Sequence, residues 1–384
     1  MRTKIAAGID IGTHEVKIIL TETRPEGERA TPKIVGAASA ESKGIRHGYI
    51  VNPGEAAESV IQAVAAVEKA SGIKVKKAVI SISGISLSSM VGTGSVSISR
   101  GDSEVTEMDI DKASAVAEKN IPASALLNRR IVHTVPLSYK IDGKPVFGRP
   151  RGMKGNKLEV RALFVTCLSQ HLDDLVETIT EAGIEVIDIV ASPVAAALVA
   201  LSKNQKVAGC VLANIGAETL SIVVYENNLP ISLEVFPLGS TDITNDIALG
   251  LKIPIEEAES LKRGGTPAHV QFSKKKLDEI VSARLYDMFD LIEAHLKKID
   301  KNGLLPAGII LIGGGAGIPL IDELAKDSLR IPARIISHKE APYSVAYGLS
   351  MLALNGDETG ATGTAPKNSP IVENSLKWLK QFLP

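Results

Sequence analysis

Residues Asp10 to Leu20 recur in outline at Asn214 to Val224, about two hundred residues later. Each copy continues an apolar run, sets a glycine two residues after a polar side chain, then returns to an apolar, alternating run. That order reads as strand, tight turn, strand. Gly12 and Gly216 take away the Cβ where the backbone must turn and approach something closely, and successive N–H groups in such turns form a concave donor site for phosphate oxygens. One strand-glycine-strand pattern is ordinarily a plain hairpin. Two of them facing each other would clamp a polyphosphate.

A third glycine cluster follows the apolar segment Ile309–Ile312: Gly313, Gly314, Gly315, Ala316 and Gly317 lead into residues 318–329, whose apolar spacing is helical. Alone, it is a turn that lets a helix pack closely on a strand. With the two hairpins, it is a strand-loop-helix unit whose missing side chains let a flat group lie against the backbone.

Two phosphate-type hairpins followed by such a loop resemble the superfamily of actin, sugar kinases and heat-shock-chaperone ATPases. Within it the chain is most similar to the FtsA family of bacterial cell-division actin homologues. The narrower resemblance rests on Gly44, Ile45, Gly48, Ile50 and Asn52; on Pro237, Gly239, Ile243, Thr244, Asp246, Ile247 and Ala248; on Glu256, Ala258, Glu259 and Lys262; and on the C-terminal tail. It implies an α/β, two-lobed, actin-like (ribonuclease H-like) fold with an inserted subdomain of the family's 1C type and a C-terminal amphipathic helix. The expected divisions are lobe 1 at 1–83 and 167–195, the insert at 84–166, lobe 2 at 196–224 and 309–354, and subdomain 2B at 225–308. A linker at 355–370 and a helix at 371–384 follow.

Local patterning agrees with such a division. Residues 5–21 read as the first hairpin, 33–40 as a strand, 55–70 as an amphipathic helix and 78–83 as another strand. From about Gly84 the pattern changes to a serine- and glycine-rich strand pair over 86–99, a helix near Thr106 with Asp109 in capping-box spacing, and strands over 130–141 and 158–166. The insert carries no catalytic constellation; the resemblance assigns it a part in self-assembly. In the long helix Lys274–Lys298, the stripe of Leu277, Ile280, Val281, Leu285, Met288, Phe289 and Ile292 reads as packing.

Composition excludes several functions. With 43 basic and 44 acidic residues and 3% aromatics, neither bulk charge nor stacking platforms favour nucleic acid. Cys167 and Cys210 lie in apolar runs and read as small buried hydrophobes, and no Cys/His spacing suggests zinc. The longest apolar stretch, 189–201, is shorter than the roughly 20 residues a spanning helix requires. Arg2 and Lys4 lead into a strand containing Asp10 and not into a leader's apolar core, so the expected location is cytosolic, peripheral at most.

The resemblance implies ATP and Mg²⁺ as ligands. In the first hairpin Asp10 would hold water around the cation, Gly12, Thr13 and His14 would offer backbone and hydroxyl donors, and Lys17 would neutralise phosphate. Asn214, Gly216, Ala217 and Glu218 form the second hairpin's share, with Gly239 nearby. Glu259 and Lys262 stand three apart and share a helix face; the resemblance puts Glu259 at the ribose and Lys262 along the purine, with Gly314, Gly315 and Ala316 as the opposite wall.

Hydrolysis is expected to be weak or absent, and no catalytic residue is assigned. The family's second hairpin normally begins with Asp, where this chain has Asn214, and an amide is neither an anionic metal partner nor a proton acceptor. Where bacterial actins place a water-orienting Glu before Pro-x-Ala-Ala-Ala, this chain has Ser192.

The tail from Asn355 to Pro370 has the composition of a flexible linker, with a reach of roughly 20–25 Å. Beyond it, Leu376, Leu379 and Leu383 form an apolar stripe flanked by Trp378 and Phe382, with Lys377 and Lys380 on the shoulders. A short amphipathic helix on a tether has no core to join, and insertion between headgroups with lysines on anionic lipid is the simplest fit. The resulting expectation is a protein that polymerises on the cytoplasmic membrane face and anchors the FtsZ ring, FtsZ following from the resemblance alone. A PilM-like pilus-assembly adaptor and an actin-fold small-molecule kinase are the competing readings.

Overall fold

The computed structural model describes residues 4–23, 32–99, 101–266, 272–336 and 341–356. The tail and its expected lipid-facing residues Leu376, Lys377, Trp378, Leu379, Lys380, Phe382 and Leu383 lie outside them.

In chain order the elements are β1 (Lys4–Ile11), β2 (Glu15–Thr23), β3 (Lys33–Glu41), the short ribbon β4 (Ile45–Arg46) and β5 (Tyr49–Ile50), α1 (Pro53–Ser71) and β6 (Lys77–Ile82). The insert follows with β7 (Ser88–Ser97), α2 (Glu107–Lys119), β8 (Arg129–Ile141), β9 (Lys144–Val146) and β10 (Lys157–Leu168). Then come α3 (Ser169–Glu181), β11 (Glu185–Ala191), α4 (Ser192–Ala200) and α5 (Lys203–Ala208). The second half comprises β12 (Cys210–Ile215), β13 (Leu220–Glu226), β14 (Leu229–Phe236), α6 (Ser240–Leu251), α7 (Ile255–Lys262), α8 (Lys274–Lys298), β15 (Ile309–Ile312), α9 (Ile321–Leu329), β16 (Ala333–Ile335) and α10 (Ser344–Gly356).

The duplication seen in the hairpins extends to whole sheets. One sheet has the order β11-β6-β1-β2-β3, and the other begins β16-β15-β12-β13-β14. In each, the first two neighbouring pairs are parallel and the last two antiparallel. Asp10 therefore stands opposite Lys17 in one hairpin as Asn214 stands opposite Ser221 in the other.

The two halves share a waist. Alternate residues Ala7, Ile9 and Ile11 of β1 and Val16, Ile18 and Leu20 of β2 join one core with α4 and α10, and that core continues onto Leu212, Val223 and Ile310 of the second sheet. Close approach there depends on glycine. A Cβ on Gly8 would lie 2.2 Å from the Ala346 carbonyl oxygen, and one on Gly348 would lie 2.0 Å from that of Ala195. The other face of the second sheet buries Met288, Phe289 and Ile292 of α8, so the stripe read as packing is core.

The segment read as a strand pair over 86–99 is one continuous strand, β7, paired along its length with β10. Gly92 and Gly94 do not turn the chain. A Cβ on either would strike the carbonyl oxygens of Ala117 and Ala113 at 2.5 and 2.3 Å, so these glycines let α2 lie directly on the strand. The helix expected over 318–329 begins only at Ile321, because residues 314–317 form a 3₁₀ turn and Leu320 adopts φ 63°.

The α2 start matches its expected cap. Thr106 Oγ1 accepts from the Asp109 N–H and the Asp109 carboxylate accepts from the Thr106 N–H at 2.9 Å. Burial pushes the Asp109 carboxyl up, but hydrogen bonds from Thr106 and Ser99 outweigh it and hold it at about 2. The insert also joins the second sheet: β7 meets β14 at Ser88 and Glu234, and Ser89 Oγ both accepts from the Leu233 N–H and donates to the Leu233 carbonyl.

Candidate functional site

The two hairpin turns close identically. The Gly12 N–H donates to the Glu15 carbonyl at 3.2 Å, and the Gly216 N–H donates to the Thr219 carbonyl at 2.8 Å. Both glycine donors are thus spent inside their own turns. The following N–H groups, Thr13 and His14 in one and Ala217 and Glu218 in the other, stand outside that closure and are the donors left for an anion.

Both turns line one cleft of about 560 Å³, together with Gly313, Gly314 and Gly317 of the third glycine cluster. The volume suits a nucleotide-sized ligand. Gly314 and Gly317 face open space, with nothing within 4 Å of where a Cβ would stand, so side chains there would occupy the cleft. Ser83 and Gly84 after β6 line the cleft as Gly313 and Gly314 do after β15, a consequence of the sheet duplication that sequence alone did not expose.

Of the expected residues, Asp10, Gly12, Thr13, His14, Lys17, Asn214, Gly216, Ala217, Glu259, Lys262 and Gly314 line this cleft. Asp10 lies on its floor, accepting from Ser81 Oγ at 2.9 Å. Burial raises its carboxyl pKa, and Lys17 and Ser81 oppose the rise only in part. Lys17 pairs with Glu15 at 3.4 Å on the same face of β2. Thr13 Oγ1 accepts from the Gly48 N–H at 3.2 Å, which leaves its own proton to donate.

At the other end Lys262 is nearly saturated. Its Nζ donates to the Ser240 carbonyl at 3.0 Å and to Thr244 Oγ1 at 2.8 Å, and pairs with Glu259 at 2.6 Å. Its ammonium is fixed by the protein, and what it offers a ligand is a positioned stem. Burial lowers the Lys262 pKa while Glu259 supports it. Burial pushes Glu259 up, but hydrogen bonds from Lys262, Thr244 and Arg263 outweigh it and hold the carboxyl at about 2. Arg263, absent from the sequence expectation, also lines the cleft and bonds Glu259 at 2.7 Å.

Four expected residues sit elsewhere. Gly239 packs behind the second turn, where a Cβ would lie 2.2 Å from the Ala217 carbonyl oxygen, and the adjacent N–H groups of Ser240 and Thr241 donate to the Gly216 and Ala217 carbonyls. Gly315 packs on Ile215 and Ala316 is buried, so both support the glycine wall from beneath. The Glu218 carboxylate turns out of the cleft toward Arg46 and His47. Asn214 and Ser192, the two positions lacking the expected acids, both reach the cleft.

Among the described residues no group of three or more His, Cys, Asp or Glu is placed to hold a metal ion. Of the carboxylates lining the cleft, Glu15 pairs with Lys17 and Glu259 with Lys262 and Arg263, and Asp10 on the floor fits a Mg²⁺ ion, which keeps several waters and binds through one or two carboxylates plus substrate phosphates.

Two family models match: one described as cell division protein FtsA over residues 211–348, and one described as the SHS2 domain inserted in FtsA over 84–166. The curated FtsA of Pseudomonas aeruginosa is 28% identical, with 98% of each chain covered. The chain belongs to the FtsA family of actin-like cell division proteins. The FtsA of Bacillus subtilis is also 28% identical, with 91% of this chain and 83% of that one covered. Among solved structures, a PilM-PilN type IV pilus biogenesis complex aligns with a TM-score of 0.67 at 17% identity, covering 91% of this chain and 98% of that one. MreB5 of Spiroplasma citri bound to ADP aligns at 0.54 and 14% identity, covering 93% and 99%. These structural likenesses show an actin-like fold, and the second family model places the SHS2 insertion between β6 and α3. No helix among the described residues is long and apolar enough to cross a membrane.

Proposed function

We propose that this chain binds ATP with Mg²⁺ between the three glycine turns, polymerises on the cytoplasmic membrane face, to which its C-terminal residues attach it, and anchors the FtsZ ring there with weak or no ATP hydrolysis. The observation that carries the reading is the convergence of the turns at Gly12, Gly216 and Gly313–Gly317 on one cleft. Thr13, His14, Ala217 and Glu218 supply backbone donors to the phosphates and Lys17 supplies a point charge. Asp10 would hold the cation through water, and the cation would neutralise phosphate charge. Glu259 accepts from ribose hydroxyls, with the Lys262 stem and the Gly314 wall flanking the base.

Weak turnover follows from Asn214 and Ser192. Neither side chain accepts a proton at neutral pH, so water in the cleft has no general base from either position. Purified protein saturated with Mg·ATP is expected to release phosphate far more slowly than the ~1–10³ s⁻¹ typical of enzymes. Turnover within that range would overturn this part of the reading.

Membrane attachment is expected to depend on assembly, because one short amphipathic helix binds marginally and many tails presented together gain avidity. In vesicle flotation with anionic lipid, the full chain should float under assembling conditions. A chain ending at 370 should not. Equal flotation of the two, or flotation unaffected by blocking assembly, would contradict the proposal.

A further inference from the structure

Glu218 lies in the second phosphate turn, yet its carboxylate is engaged by the other half of the molecule. Its Oε2 accepts from the His47 N–H at 2.6 Å and its Oε1 pairs with Arg46 Nε at 2.7 Å. The Glu218 carbonyl oxygen lies 3.0 Å from His47 Nδ1, the ring nitrogen that must carry the proton, since a carbonyl only accepts. Three bonds therefore join a turn of the second sheet to the β4–β5 ribbon of the first half, across 171 residues of chain.

The ribbon turn is a fixed anchor for such bonds. His47 and Gly48 hold φ 49° and 81°, and a Cβ on Gly48 would lie 2.4 Å from Gly84 Cα. The Gly48 N–H donates to Thr13 Oγ1 in the first phosphate turn, and its carbonyl lies 3.0 Å from His171 Nε2. His171 Nδ1 in turn lies 2.9 Å from Ser86 Oγ at the base of the insert. The same four-residue turn thus touches the first phosphate turn, the second phosphate turn and the start of the inserted domain.

We infer that Glu218 is a cross-cleft latch: its bonds to Arg46 and His47 hold the two phosphate turns together, and their opening sets the rate at which nucleotide leaves. This rests on the nucleotide reading above and adds a step to it. The Glu218 side chain is only 13% exposed, so its bond from the His47 N–H is charge-assisted and shielded, whereas Arg46 is 67% exposed and contributes less. The arrangement also explains how an acid is tolerated in a phosphate turn. Its charge is neutralised by Arg46 and directed away from the ligand.

The test uses the full chain and a fluorescent ATP analogue with Mg²⁺, chased by excess ATP. Glu218→Gln is expected to speed release about tenfold, and Arg46→Ala about threefold, with the double variant no faster than Glu218→Gln alone. Glu177→Gln, on an exposed face of α3, should release at the wild-type rate. A second readout needs no nucleotide: hydrogen exchange in peptides covering 44–52 should quicken in Glu218→Gln and Glu218→Ala, and not in Glu177→Gln. Release and exchange both matching wild type in the Glu218 variants would overturn the latch. A wild-type chain that binds no ATP would instead overturn the nucleotide reading, and the exchange result would then decide the latch by itself.

Discussion

Lys262→Ala is expected to weaken ATP binding by about two orders of magnitude and to destabilise the protein as well. Lys262 is buried, and its Nζ is held by the Ser240 carbonyl, Thr244 Oγ1 and Glu259. Removing it leaves a carboxylate in the cleft without its buried partner, and breaking one side of a buried pair costs about 3–5 kcal/mol. Arg263 still reaches Glu259, so the stability loss should fall at or below the lower end of that range. Affinity suffers separately, because the stem no longer lines the nucleoside end and Glu259, still held by Arg263 and Thr244, loses the buried ammonium that fixes its orientation.

The two effects are separable. Glu259→Gln combined with Lys262→Met removes both charges and keeps the stem, so it should recover most of the thermal stability lost in Lys262→Ala. Nucleotide affinity should recover only in part, since a neutral amide is a weaker acceptor for ribose hydroxyls than a carboxylate. Isothermal titration and thermal unfolding of the same preparations measure both. Full-strength ATP binding by Lys262→Ala would show that the ligand does not lie against this helix.

Lowering the pH from 7 toward 4 is expected to destabilise the protein, with two buried histidines dominating. Burial pushes His133 down to about 4, and burial together with Lys298 pushes His295 down to about 4. Each ring stays neutral in the folded protein while the unfolded chain takes up a proton near 6.5. Their contributions are therefore complete above about pH 6.5 and lost as the pH falls toward 4, at about 3 kcal/mol per histidine. The His133 geometry agrees with a neutral ring: its Nε2 accepts from the Ala191 N–H at 2.9 Å, which a doubly protonated imidazole cannot do.

Asp10 acts in the opposite sense. Its raised pKa means that acid relieves a buried charge, which offsets part of the loss. Asp109 and Glu259, held at about 2, stay ionised in the folded protein through this window and add their loss only below about pH 4. His133→Gln, which keeps an acceptor for Ala191 and cannot titrate, should roughly halve the fall in melting temperature between pH 6.5 and 4. A melting temperature flat from pH 7 to 4 in the wild type would contradict the assignment of neutral rings.

His133 also shows what the sequence could not reveal. It belongs to the insert but bonds the residue just before Ser192, at the cleft edge, a contact spanning 58 positions. The hairpins and the glycine cluster were legible because glycine marks places where a backbone turns or is approached, and the repeat supplied the second observation. The same rule misled at Gly92 and Gly94, where glycine makes room for α2 and the chain runs straight. Periodicity found the elements but not the pairing of β7 with β14, since register between distant strands depends on sheet edges that no local pattern records.

Within the site, backbone positions were more legible than side-chain roles. Gly12 and Gly216 mark the turns, yet their own N–H groups are closed on Glu15 and Thr219, and the free donors belong to the next residues. Lys262 reads from sequence as a helix-face lysine; only packing shows its ammonium spent on Ser240, Thr244 and Glu259. Glu218 reads as part of the second hairpin's share of the ligand site, while its carboxylate's partners Arg46 and His47 come from a segment whose glycines carry the resemblance and give no sign of the contact.

The central claim is that the three glycine turns form one triphosphate site, and a crystal structure of the full chain with Mg²⁺ and a non-hydrolysable ATP analogue tests it most directly. The account predicts phosphates against the N–H groups of Thr13, His14, Ala217 and Glu218, a cation on the Asp10 side, and the base between the Lys262 stem and Gly314. Nucleotide bound anywhere else, or a cleft left empty at saturating analogue, would contradict it.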